Sequence, residues 1–188
     1  MKKMFVRVFI IVLFFILLGQ FSQVFAQTPT DATSATKEAK LSVDYHLPYP
    51  GILPDNPLYK LKLIRDKIRE LFTTNPEKKA DFYLLQADKR LAAGILLFEK
   101  GKGELSEQTI SKGQNYLEKA LIESQKAKDA KTSVLDFSAK IKASSSKHRE
   151  EIEKLMEKSG GQLSEKFEGG LQRAIEFEKR AERFNPEN

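Results

Sequence analysis

The chain has 188 residues, with 32 Lys+Arg against 26 Asp+Glu, two histidines and no cysteine. The missing cysteine excludes disulfides, thiolate metal sites and a cysteine-anchored lipoprotein. The formal charge of +6 rests partly on the first 26 residues, where Lys2, Lys3 and Arg7 face no acid. Without them, 29 basic residues oppose 26 acidic ones, and binding to nucleic acid or another polyanion loses most of its support.

Lys2, Lys3 and Arg7 precede an unbroken apolar run, Val8 to Leu18, and Val24-Phe25-Ala26 places small residues at −3 and −1 before Gln27. This is the layout of a secretory signal peptide, with cleavage predicted after Ala26. The alternative is a retained anchor, which needs about 20 apolar residues to cross a bilayer. Gln20, Ser22 and Gln23 interrupt that length. Residues 27–44 are rich in Thr, Ala and Ser and hold too little apolar surface to offset ordering entropy, so they read as a disordered tether.

Residues 45–188 read as the folded domain. From Tyr45 to Tyr59 four prolines and a glycine forbid a helix, yet Tyr45, Leu47, Tyr49, Ile52, Leu53, Leu58 and Tyr59 are too apolar for a solvated linker. The stretch is expected to be an extended strap packed on the helical bundle. Asn56-Pro57 then supplies an N-cap and a first-turn proline for helix one. Leu58, Leu61, Ile64, Ile68, Leu71 and Phe72 recur every three or four residues as one apolar stripe. Lys60, Lys62, Arg65, Lys67 and Arg69 lie mostly off it. They read as a solvated face, with docking on an acidic surface as the alternative.

Asn75-Pro76-Glu77 repeats the start signal for helix two, expected to run to about Lys100. Ala80, Ala87 and Gly94 fall seven apart beside Leu84, Leu91 and Phe98, a small line next to a large one that lets a partner helix approach closely. After a reversal at Gly101-Lys102-Gly103, helix three, from about Ser106 to Lys128, matches it with Gly113, Ala120 and Ala127. A tight antiparallel hairpin is predicted. Asp129–Ser133 could be a turn capped by Thr132 or Ser133, or continuous helix. Beyond it Val134, Ser138, Ile141, Ser145, His148, Ile152 and Leu155 form the next seam, closed by Gly160-Gly161. Leu163, Phe167, Gly170, Ala174, Phe177, Ala181 and Phe184 form the last, ended by Asn185-Pro186. The fold class is therefore all-α: an antiparallel helical bundle of two helical hairpins plus a short first helix, with an N-terminal proline-rich strap.

Pro50-Gly51-Ile52-Leu53-Pro54-Asp55-Asn56-Pro57-Leu58-Tyr59 resembles the opening of an uncharacterised bacterial exported helical domain, a family described by its Pro-Gly-Ile-Leu-Pro-Asp-x-Pro-Leu-Tyr motif. Weaker similarity in Asn75–Ala80, Ala87–Ala92 and Lys147–Leu155 extends the resemblance over roughly residues 45–183. It implies export and an all-helical domain. It assigns no activity and no catalytic residue.

The residues themselves present no catalytic, cofactor-binding or metal site. His46 and His148 are far apart, and His148-Arg149-Glu150-Glu151 lacks the second histidine of a helical zinc motif. His148 reads as a structural histidine on an otherwise apolar seam. Ser144, Ser145 and Ser146 have no nucleophile-elbow context, and Glu150-Glu151 reads as a solvated helix face. The expected function is an exported, non-enzymatic interaction or structural module of the cell envelope or exterior. Its partner would be an envelope or extracellular protein or polymer, with no nucleic acid or small-molecule substrate, and a membrane only if the signal segment is uncleaved. An extracytoplasmic chaperone or stress-sensing protein is the alternative, and an enzyme the least supported class.

Overall fold

The computed structural model describes residues 43–130 and 135–183. The expected signal peptide, the tether up to residue 42, the Thr132/Ser133 cap and the Asn185-Pro186 terminus lie outside the described residues. Among the described residues five helices occur in chain order: α1 Tyr59–Phe72, α2 Pro76–Glu99, α3 Gly103–Asp129, α4 Leu135–Lys158 and α5 Gly161–Glu182. Among the described residues there is no strand.

The α2–α3 hairpin is the most extensive pairing, α4–α5 the second, and α5 lies against α3 to join the two. Asn75 caps α2 as predicted, its side chain accepting the Lys78 N–H at 3.0 Å with Pro76 in the first turn. Gly101, at φ +72°, makes the reversal into α3. The small residues are where the two backbones meet. A Cβ on Gly94 would stand 2.3 Å from Ile110 Cγ1, and one on Gly113 would stand 3.1 Å from Arg90 Cβ and 3.2 Å from the Ala87 carbonyl. Ser106, expected to begin α3, lies inside it and donates its hydroxyl to the Gly94 carbonyl at 2.7 Å, a bond only this close approach permits.

The core falls into two clusters along the bundle. One gathers Ala87, Leu117, Leu121, Ile141 and Phe177 among others; the second gathers Leu91, Ile110, Ile152, Leu155 and Phe167. In sequence, Asp88 lies between the two on α2, Gln114 on α3, and Ser144, Ser145 and His148 on α4. All five are buried. A buried polar group of residues thus lies between the two apolar clusters.

The strap is extended and tied down at several points. The Val43 N–H donates to Glu150 Oε2 at 3.0 Å, and the Tyr45 hydroxyl reaches Asp88 Oδ2 at 2.6 Å. Leu47 packs on the second cluster. Asp55 accepts from Lys102 at 2.8 Å and Lys100 at 3.3 Å, pinning the strap to the hairpin turn. Three strap residues expected to pack do not: Tyr49 is 81% exposed, and Ile52 and Leu58 are exposed as well.

The largest departure from expectation is α1. It starts at Tyr59, after a turn in which the Asn56 side chain accepts the Leu58 N–H at 2.9 Å and the Asn56 carbonyl accepts the Tyr59 N–H at 3.0 Å. Its backbone approaches the other helices only marginally. Its orientation is the reverse of an ordinary amphipathic helix.

Candidate functional site

The inward face of α1 is polar. Tyr59, Lys62, Asp66 and Glu70, spaced three and four apart, are its residues withdrawn from solvent. Lys62 Nζ donates to the carbonyls of Pro50 at 2.7 Å and Ile52 at 3.3 Å, which fastens the helix to the strap. Glu70 accepts from the Tyr83 hydroxyl at 2.8 Å and from Lys67 at 3.0 Å, and Lys119 of α3 stands 3.5 Å away. Burial works against ionisation of Glu70, but the bonds from Lys67 and Tyr83 and the Lys119 charge outweigh it and hold its pKa below the ordinary carboxylate range. Beneath the helix a cleft of about 420 Å³ remains, lined by Tyr59, Leu63, Arg90, Tyr116 and Lys119 among others. The Arg90 guanidinium lies 4.0 Å from the Tyr116 ring centre and donates to Gln86 Oε1 at 2.8 Å. Specific polar bonds, rather than apolar burial, therefore seat α1.

The outward face carries Leu61, Ile64, Ile68, Leu71 and Phe72, each between 53% and 79% exposed. At about 100° per residue these five fall within roughly 100° of arc. Lys60 and Lys67 border one edge of that arc, and Arg65 and Arg69 border the other. Beside Leu61 a second groove, about 410 Å³, opens between α1 and the strap; Tyr49, Ile52, Arg65 and Lys89 line it. The exposed apolar surface is thus continuous from the helix onto the strap.

Residues weighed for chemistry are placed elsewhere. His46 is exposed, 4.0 Å from Asp44, while His148 is fully buried with Nε2 3.4 Å from Asp88 Oδ1. The Ser144 hydroxyl donates to Asp88 Oδ1, Ser145 to the Ile141 carbonyl, and Ser146 to Glu178 Oε1. Asp88, Ser144 and His148 form a closed contact between α2 and α4 that neither groove reaches. No group of three or more His, Cys, Asp or Glu able to hold a metal ion occurs among the described residues.

Glu150 and Glu151 are not the simple solvated face expected of them. Lys154 and Lys147 bridge both, and Glu150 also holds the strap through Val43. Burial raises their pKa values, but the lysine bonds and charges prevail and the net direction is downward. A carboxylate with a depressed folded-state pKa stabilises the fold above its unfolded value, about 4.3, and this contribution is lost as pH falls through the folded value. Urea unfolding monitored from pH ~5 down to pH ~2 is expected to show a falling midpoint. A Glu150→Gln/Glu151→Gln variant should lose much of that pH dependence; an unchanged slope would show that the cluster contributes nothing.

Sequence reasoning found the apolar stripe of α1 but not its direction. The signal was the second stripe, Tyr59-Lys62-Asp66-Glu70, which keeps helical spacing as faithfully as the leucines and isoleucines do. Asp88 was also missed, although it stands in line with Leu84 and Leu91 on the seam of α2.

The fold is an all-α bundle with a strap and one outward-facing amphipathic helix. A family model described as Domain of unknown function (DUF5667) matches residues 51–162, and the chain belongs to that family. The match opens in the strap at Gly51 and runs to the start of α5, a narrower span than residues 45–183. No curated protein and no solved structure matches the chain.

Proposed function

We propose that this protein is an exported, non-enzymatic docking module that engages another component of the cell envelope or exterior through the outward face of α1. The observation that carries this reading is the inverted helix. Five large apolar side chains stay in solvent while charged ones are turned inward, although burying such residues is the ordinary route to stability. An exposed contiguous apolar face costs solubility, and occupation by a partner accounts for its presence. The face is a ridge of a single helix, too open to act as the floor of a chaperone's concavity.

Export rests on the n-region, apolar run and small-residue site of residues 1–26. A non-enzymatic role is supported by the closure of the Asp88, Ser144 and His148 contact, which no substrate could enter without parting α2 from α4.

The test is a photo-crosslinking residue placed at Ile68 and, separately, at Lys179 on α5, in intact cells. The N-terminus is read by mass spectrometry in the same samples. A chain beginning at Gln27 that crosslinks from position 68 and not from 179 is expected. A chain kept in the cytoplasm, or equal capture from both positions, would remove the proposal.

A further inference from the structure

We infer that the component engaged by α1 is an anionic lipid surface, on which the helix lies flat with the strap tip beside it. This rests on the reading of the outward face as a docking surface and names what docks there.

Three observations select lipid. First, the distribution of charge is that of an interfacial helix: an apolar arc with Lys60 and Lys67 on one edge and Arg65 and Arg69 on the other. The two acidic residues of α1 point away from that face, Asp66 buried and Glu70 bonded to Tyr83. Arg65 and Lys67 each contact one of these carboxylates, yet both remain mostly exposed and the helix keeps five cations against two anions. Cations at both edges of an apolar arc suit a plane of anionic headgroups, whose attraction adds to apolar insertion.

Second, the same arrangement disfavours a second copy. Two such faces brought together would set basic edge against basic edge with no outward acid on either helix to neutralise them. Third, the groove beside Leu61 joins the apolar Ile52 and the exposed ring of Tyr49 to Arg65 and Lys89. A tyrosine with its ring in solvent and cations nearby is suited to headgroup depth, where an apolar body and a polar tip are both accommodated. The helix has 14 residues, too few to span a bilayer, and no helix among the described residues is long and apolar enough to cross one. It would lie in the interface plane.

The chain contains no tryptophan, so a single one reports its own position without background. Ile68→Trp and, as a control on α5, Lys179→Trp are made in the full chain. Each is mixed with vesicles of phosphatidylcholine alone or containing phosphatidylglycerol, some with brominated acyl chains. Because the readout is local, lipid binding by the N-terminal apolar run does not obscure it. Expected is a blue shift and bromine quenching at position 68 and not at 179. Partitioning should be at least ~10-fold tighter on anionic vesicles, weaken as salt rises, and fall by ~10-fold or more in a Lys60→Glu/Arg69→Glu background.

A tryptophan at 68 that stays in water on anionic vesicles overturns the lipid assignment. If it does so while photo-crosslinking from position 68 still captures a protein, lipid is wrong and the docking reading stands. If position 68 is shielded only as protein concentration rises, the occupant is a second copy and lipid is again wrong. If it is solvated on vesicles and captures nothing in cells, both readings fall.

Discussion

Asp88→Ala is expected to destabilise the fold by about 3–5 kcal/mol, the largest single effect predicted for this chain. One carboxylate holds two groups from two other segments and stands beside a third. Tyr45 of the strap bonds Oδ2, Ser144 of α4 bonds Oδ1, and His148 Nε2 stands 3.4 Å from Oδ1. Asp88 is 3% exposed, and Ser144 and His148 are fully buried. Removing the acceptor therefore leaves the Tyr45 and Ser144 hydroxyls without their partner, an unpaired buried polar group costing about 1–3 kcal/mol. Tyr45 reports the same coupling: burial, then the Asp88 charge and hydrogen bond, drive its pKa well above the ordinary phenol value. Denaturant unfolding monitored by circular dichroism gives the measurement. A loss under ~1 kcal/mol would mean that these buried polar residues adjust without cost. Asp88→Leu combined with His148→Leu should cost less than the sum of the two single changes, because a polar contact replaced on both sides leaves fewer orphaned groups.

Ala87→Leu is expected to cost about 1–3 kcal/mol through overpacking. Ala87 is fully buried, and its carbonyl lies only 3.2 Å from where a Cβ on Gly113 would stand. Three added carbons cannot be placed without separating α2 from α3 or forcing neighbouring side chains off their rotamers. The backbone on the far side cannot yield as a flexible side chain could. A neutral result in the same unfolding assay would show that the hairpin tolerates a wider spacing than it adopts. Ala87 and Asp88 are adjacent, so the two effects should not be assumed additive.

The helical elements were legible because their signals are local. Asn75-Pro76 caps α2 where its chemistry places it, and Gly101 turns the chain where a left-handed residue is needed. The close hairpin was legible for a related reason. A line of Ala80, Ala87 and Gly94 has little to do on a helix except admit a neighbour, and Gly113 and Ala120 supply the complement.

Asn56 shows the limit of local signals. Its side chain accepts the Leu58 N–H and its carbonyl the Tyr59 N–H, and the helix proper begins three residues on, at Tyr59. The turn follows directly on the strap, which Lys62 ties down from ten and twelve residues away. Glu150 and Glu151 gave no local sign of their role either, since the strap that Glu150 holds arrives from over 100 residues earlier.

By itself, the sequence determined that residues beyond the strap form amphipathic helices and which small residues let two of them approach. Periodicity and capping act within a few residues, and nothing distant needs to be known. Only the tertiary structure decided which way α1 faces. A hydrophobic stripe defines an axis on a helix but not what that axis points toward, and here Tyr83, Lys119 and the carbonyls of Pro50 and Ile52 offered partners to its polar side. Those bonds turned Leu61, Ile64, Ile68, Leu71 and Phe72 outward and made a surface of what the pattern alone reads as core.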